Sequence, residues 1–183
     1  MITTIITDFD GTLVDTFEAN LRAYQSAFHS VGKDLTAEKY RQCFGLRFDA
    51  FMSHMGIFDE KEANQIREVK AKCYPTYFDF LRPNEALISL IDAFHQMGGK
   101  TAIASTARKE NLMNVVNYLN IASTFDKILA GIDVKKGKPS PEIYIKAMGA
   151  LNSSPSETLI FEDSEVGIKA AKASGAKYLK ITL

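Results

Sequence analysis

Two aspartates stand two residues apart in Thr4-Ile5-Ile6-Thr7-Asp8-Phe9-Asp10-Gly11-Thr12-Leu13-Val14-Asp15-Thr16. Ile2, Ile5 and Ile6 with the neighbouring threonines favour a strand, and Gly11 marks a sharp turn, so both acids fall at the strand's carboxyl end. In open parallel α/β sheets that rim is where ligands bind. Carboxylates so close repel each other unless a positive charge lies beside them, and a divalent cation is the simplest such charge. Three later positions carry matching chemistry. Ser105, followed by Thr106, ends a strand pattern and can hold a phosphate oxygen without adding charge. Lys138 lies in Gly137-Lys138-Pro139-Ser140-Pro141, where prolines stiffen the chain and a helix start adds amide donors. Glu162-Asp163 is a second acidic pair at a strand's end. Taken singly, each has an ordinary explanation: an acidic loop, a capping serine, a solvated lysine, helix-capping acids.

The elements that must position these residues follow from periodicity. After Thr16, Phe17, Leu21, Tyr24, Phe28 and Val31 recur at helical spacing until Gly32. Further helices are predicted near Thr36 to Phe44, near Phe48 to Met55, and from Asp59, which has Glu62 three residues on. Pro75 should end or kink the last of these near Tyr74. Residues 17–82 therefore read as an all-helical insert. From Pro83 onward strands and helices alternate. A helix bears Leu87, Leu90, Ile91 and Phe94, and a strand spans Lys100 to Ser105. A helix with Leu112, Val115, Val116 and Leu119 follows, then a strand from Lys127 to Ala130. Ser140 as cap and Pro141 as first residue open a helix to about Leu151. A strand from Thr158 to Phe161, a helix with Val166, Ala170 and Ala173 on its apolar face, and a strand from Tyr178 to Thr182 complete the pattern. This alternation predicts an α/β fold: a three-layer Rossmann-like core with a parallel sheet, residues 1–16 and 83–183, plus the inserted α-helical cap domain, residues 17–82.

Bulk properties narrow the function classes. The 183 residues are 46% hydrophobic and 24% charged, enough for a well-buried core and a small accessory domain. The 22 basic and 22 acidic residues cancel, which removes the electrostatic argument for nucleic acid or an anionic membrane as partner. Cys43 and Cys73 have no metal-type spacing and read as buried thiols in a reducing compartment. No stretch approaches the ~18 apolar residues of a membrane span and no leader pattern opens the chain, so a cytoplasmic protein is expected.

Taken together and in order, these segments resemble the four motifs of the haloacid dehalogenase-like hydrolase superfamily: Asp8-Phe9-Asp10-Gly11-Thr12, then Ser105, then Lys138 in Gly-Lys-Pro-x-Pro, then Glu162-Asp163-Ser164 with Gly167-Ile168-x-Ala170-Ala171. The chain is most similar to the phosphoglycolate phosphatase and β-phosphoglucomutase group, which carries a helical cap after the first motif. Those proteins usually continue past the strand represented here by Tyr178 to Thr182.

The resemblance implies Mg²⁺ held by the Asp8 carboxylate, the Asp10 backbone carbonyl and Asp163, with Glu162 a ligand or a partner just outside the coordination sphere. It implies Asp8 as nucleophile forming an aspartyl-phosphate, with Lys138 as the second positive charge. Ser105, Thr106 and backbone amides after Asp8, Gly11 among them, would hold phosphoryl oxygens. A departing alkoxide needs a proton and a halide does not, so Asp10 as general acid favours phosphoryl transfer over dehalogenation. Substrate choice falls to the cap, where Arg47 and Lys72 are the candidates, and Asp15 and Thr16 are expected as hinge residues. The expected activity is a Mg²⁺-dependent phosphatase acting on a small phosphorylated metabolite, as a monomer or weak dimer. The alternatives are a phosphohexomutase on the same core, phosphonate cleavage through a cap lysine, and a non-catalytic binding or regulatory relative.

Overall fold

A computed structural model describes all residues, Met1–Leu183. In chain order the elements are β1 (Thr4–Thr7), β2 (Val14–Asp15), α1 (Phe17–His29), α2 (Ala37–Cys43), α3 (Phe48–His54) and α4 (Glu60–Cys73), then a 3₁₀ segment at Tyr74–Phe80. They continue with β3 (Arg82–Pro83), α5 (Glu85–Gln96), β4 (Lys100–Ala104), α6 (Lys109–Tyr118), β5 (Lys127–Leu129), α7 (Glu142–Ala150), β6 (Thr158–Glu162), α8 (Glu165–Ala173) and β7 (Lys177–Lys180).

Five strands form one sheet in the order β5-β4-β1-β6-β7, every pair parallel. β1 is central and buried throughout, which is why it reads as a continuous β-branched run instead of an alternating one. Its Thr7 sits opposite Ile103 on one side and Phe161 on the other, and the Asp8 amide extends the ladder by donating to Phe161 O at 2.9 Å. Because all five strands run the same way, their carboxyl ends share one rim. Ile6, Ala102, Ala104 and Ile160 join α7 and α8 residues in one buried cluster. Ile5, Ile103 and Phe161 point to the opposite face by strand alternation, and α5 packs against β4. β7 is an exposed edge strand bracketed by Lys177 and Lys180, charges that discourage further strand pairing.

The chain divides into two units, Met1–Asp15 with Arg82–Leu183, and Thr16–Leu81. The second is helical, with a core in which Leu21, Phe28, Tyr40, Phe51 and Ile66 are buried together. Tyr24 and Phe51 meet edge to face at 4.9 Å. The Asp59 carboxylate caps α4 by accepting from the Glu62 amide at 2.8 Å, and the α-helix stops at Cys73, just before Pro75.

Several details differ from the sequence expectations. The helical insert stops at Leu81, because Arg82 and Pro83 pair antiparallel with Asp15 and Val14 in a two-residue ribbon too short to show periodicity. Pro141 takes the cap position of α7, and Ser140 Oγ accepts from the Glu142 amide at 3.4 Å. The buried face of α8 is Gly167, Ala170 and Ala171, while Val166 and Ala173 are exposed. That rotation turns the side without a Cβ toward Glu162. Ile2 and Thr182 fall outside the strands, and Cys73 is only half-buried, although both cysteines are free.

Ile160, on β6 beside Ile6 of β1, is fully buried in the cluster that includes α7 and α8 residues. Ile160→Ala is expected to lower stability by about 2–5 kcal/mol, seen as a lower urea midpoint with an unchanged slope.

Candidate active site

The carboxyl-end rim gathers side chains from four separate stretches. Asp8 follows β1, Ser105 follows β4, Lys138 lies in the loop after β5, and Glu162 and Asp163 end and follow β6. Lys138 Nζ donates to Asp8 Oδ1 and, at 2.5 Å, to Glu162 Oε1. Glu162 is fully buried and Asp8 is 7% exposed. Carboxylate oxygens of Asp8, Glu162 and Asp163 lie within 4.8 Å of one another.

Each acid has a defined set of donors. Tyr144 O–H donates to Glu162 Oε1 at 2.8 Å, while the Ser164 amide and hydroxyl donate to Oε2 at 3.0 and 3.1 Å. With Lys138, these contacts occupy both Glu162 oxygens. Thr12 Oγ1 donates to Asp163 Oδ1 at 2.8 Å, which leaves Oδ2 for another partner. Ser105 Oγ accepts from the Ala107 amide at 3.1 Å and donates to Asp10 Oδ2 at 3.3 Å, a long bond. Asp10 is half-buried, as are Thr106 and Gly11.

Gly11 is used differently from the sequence expectation. Its φ is +90°, and its amide donates to Val14 O at 2.8 Å, so the amide closes the turn and is not offered to a phosphate oxygen. A Cβ there would stand 2.5 Å from Asp163 Oδ2. Glycine is needed at this position because the backbone passes so close to the acid.

The electrostatics are unbalanced without a further cation. Burial pushes the Asp8 carboxyl well above its usual range, against the opposing pull of the Lys138 ammonium. Burial works against the Lys138 charge too, but Asp8 and Glu162 outweigh it and hold the ammonium protonated. Burial likewise raises Asp163, partly offset by the Thr12 hydrogen bond, and raises the Tyr144 phenol. Three acids thus face one ammonium. An all-oxygen donor set with this excess of negative charge fits a hard dication such as Mg²⁺.

Sequence reasoning brought Asp8, Asp10, Ser105, Lys138, Glu162 and Asp163 to one rim, where the structure also has them. Arg47 and Lys72 belong to the helical unit, and both are exposed. Lys70, on the same helix as Lys72, is instead buried, its ammonium 3.6 Å from the Tyr74 ring centroid. Thr12 and Tyr144 had no assigned role. Thr12 stands inside the first motif, so its place beside Asp10 was a usable signal. Tyr144 reads as one more apolar residue of α7, and only the fold turns its hydroxyl toward Glu162.

The haloacid dehalogenase-like hydrolase family matches this chain over residues 5–181. The chain belongs to that family. Among its relatives it is 29% identical over 175 residues to a phosphorylated carbohydrates phosphatase of Thermotoga maritima, covering 93% of this chain and 81% of the relative. It is 30% identical over 193 residues to the protein CbbY of Rhodobacter capsulatus, covering 94% and 82%. A crystal structure of β-phosphoglucomutase from Clostridium difficile superposes with a TM-score of 0.85 at 26% identity, covering all of this chain and 86% of that one. The parallel sheet and its flanking helices are those of this hydrolase fold.

Gly167 gives a direct test of how tightly the rim is packed. A Cβ there would run into the Glu162 carboxylate, whereas a Cβ at Gly149 meets nothing within 4 Å. Gly167→Ala is expected to lower stability by about 1–3 kcal/mol. Gly149→Ala, inside α7, should raise it by about 0.5–1 kcal/mol. Paired thermal melts read both.

Proposed function

We propose that this hydrolase is a Mg²⁺-dependent phosphatase that hydrolyses a small phosphorylated metabolite through an aspartyl-phosphate on Asp8. The observation that carries this reading is Lys138 donating to both Asp8 and Glu162, with Asp163 and Asp10 close by. A phosphate monoester is a dianion that repels an anionic nucleophile, so positive charge must gather before a carboxylate can attack. Asp8, the Asp10 carbonyl and Asp163 would hold Mg²⁺, which supplies charge neutralisation for the phosphoryl oxygens. Glu162 is the poorer ligand, because its oxygens already serve Lys138, Tyr144 and Ser164.

Lys138 binds the phosphoryl oxygens from the other side and steadies the charge spread over them at the transition state. Ser105 orients Asp10 and offers its hydroxyl to the same oxygens. Asp8 attacks phosphorus and Asp10 delivers a proton to the leaving alkoxide. Asp10 then takes a proton from the water that opens the acyl-phosphate, releasing inorganic phosphate and restoring Asp8. Arg47 and Lys72 are the proposed contacts from the cap to the rest of the substrate, with Asp15 and Thr16 as hinge. The relative that acts on phosphorylated carbohydrates supports a sugar phosphate as substrate.

The likeness to β-phosphoglucomutase supports a second reading, return of the phosphoryl group to a sugar hydroxyl. A strict requirement for a bisphosphate activator would select it. Steady phosphate release from several esters selects the phosphatase.

Phosphate release across a panel of phosphorylated metabolites with Mg²⁺ is the primary test. Asp8→Asn is expected to abolish turnover and the mass shift of the phosphoenzyme in acid-quenched samples. Asp10→Ala should lower kcat by about 10²–10⁴-fold while the acyl-phosphate from a good leaving group accumulates. Rapid turnover in that variant rejects Asp10 as the proton carrier.

Chelation should remove activity, and added Mg²⁺ should raise Tm. The pH dependence follows from Asp8 and Asp163, whose carboxyls are raised in the folded chain by burial. The stability these acids lend the metal-free protein is full below the usual carboxylate range and is lost as pH rises through their folded values. Mg²⁺ must displace those protons, so its Tm increment is expected to grow as pH rises from the usual carboxylate range through their folded values.

A further inference from the structure

The first turn of α7 makes two contacts that the chemistry above leaves unassigned. Glu142, its first residue, accepts from the Lys135 amide at 2.8 Å through Oε1 and from the Lys136 amide at 2.9 Å through Oε2. Both amides precede Lys138 by only two or three residues, and the Ser140 amide closes the same loop onto Gly137 O at 3.0 Å. Two residues after Glu142, Tyr144 is fully buried with its ring centroid 5.0 Å from Lys138 Nζ. Its hydroxyl is spent on the same Glu162 oxygen that receives the ammonium.

One helical turn therefore grips Lys138 twice, once through the backbone that leads to it and once through the carboxylate that it binds. We propose that Glu142 and Tyr144 are positioning residues that together fix the Lys138 ammonium where the reacting phosphoryl group must sit, an inference that rests on the phosphoryl-transfer reading above.

Packing alone does not account for these residue types. Phenylalanine would fill the Tyr144 site equally well, and a buried hydroxyl costs free energy unless it is bonded. A glutamate at a helix start normally serves its own helix or faces water. This one instead bridges two consecutive amides of a preceding loop, and those amides hold its carboxyl below the usual range, so it stays ionised at neutral pH. A lysine on a flexible four-carbon stem places its charge accurately only if both its backbone and its partner are fixed.

The test uses Glu142→Gln and Tyr144→Phe, singly and in a Lys138→Met background. Each single variant is expected to lower kcat by about 5–30-fold and to raise KM by about fivefold or less, because the ammonium holds the bound phosphoryl group and holds it more strongly at the transition state. Glu142→Gln, at a half-buried position, tests the proposal even where Tyr144→Phe folds poorly. In the Lys138→Met background neither substitution should change the residual kcat by more than about twofold, since both act through the missing ammonium. Single variants within about twofold of wild type, or a further loss without Lys138, overturn the proposal.

Calorimetric titration with inorganic phosphate in Mg²⁺ reads the same clamp without turnover. Each single variant should bind about fivefold more weakly, and the Lys138→Met pairs should match Lys138→Met alone. A wild type that binds phosphate but hydrolyses nothing rejects the hydrolytic reading, while these affinities still decide the clamp. A wild type that binds no phosphate overturns the clamp.

Discussion

Glu162 is fully buried, Asp8 nearly so, and one ammonium stands between them. Removing such ions from water costs several kcal/mol each, after relaxation, and is repaid only by close charge pairing and complete hydrogen bonding. The surrounding residues meet that demand one oxygen at a time. Tyr144 and Ser164 complete Glu162, Thr12 steadies Asp163, and Ser105 reaches Asp10. A surplus of negative charge is left over. This surplus suits the rim to a dication, and makes it costly to fold without one.

The sheet makes the assembly possible. Parallel strands place the ends of β1, β4, β5 and β6 side by side, so residues far apart in sequence meet without any strand having to bend. β1 is central and paired on both sides over Thr4–Thr7, and the Asp8 amide adds a bond to β6, which leaves Asp8 little backbone freedom. Lys138, by contrast, comes from a loop, and its position depends on neighbours. The Gly131 amide ties this stretch to Ala107 O at 2.9 Å, and Glu142 ties it to α7.

Much of this was legible in the chain, for identifiable reasons. Strand ends followed by polar residues gave the rim, and the order of Asp8, Ser105, Lys138 and Asp163 gave the superfamily, because each motif is local. Capping chemistry was equally local, as at Asp59. What stayed hidden was relational. Tyr144 shares α7 with Ile143, Ala147 and Met148, all buried, and nothing in the spacing separates a hydroxyl that packs from one that donates. The rotation of α8 was hidden for a similar reason, since Gly167 carries no hydropathic weight although its missing Cβ makes room for Glu162. The β2/β3 ribbon escaped because two residues have no period.

That ribbon has an evolutionary corollary. Asp15 and Arg82 face each other across it, so the chain leaves the sheet-bearing unit and returns to it at neighbouring points. To that unit the whole insert is topologically a loop, and lengthening such a loop costs little in closure entropy. Descendants of this architecture could therefore exchange, shrink or enlarge the helical segment between the two anchor residues without redrawing a single strand pairing in the main sheet.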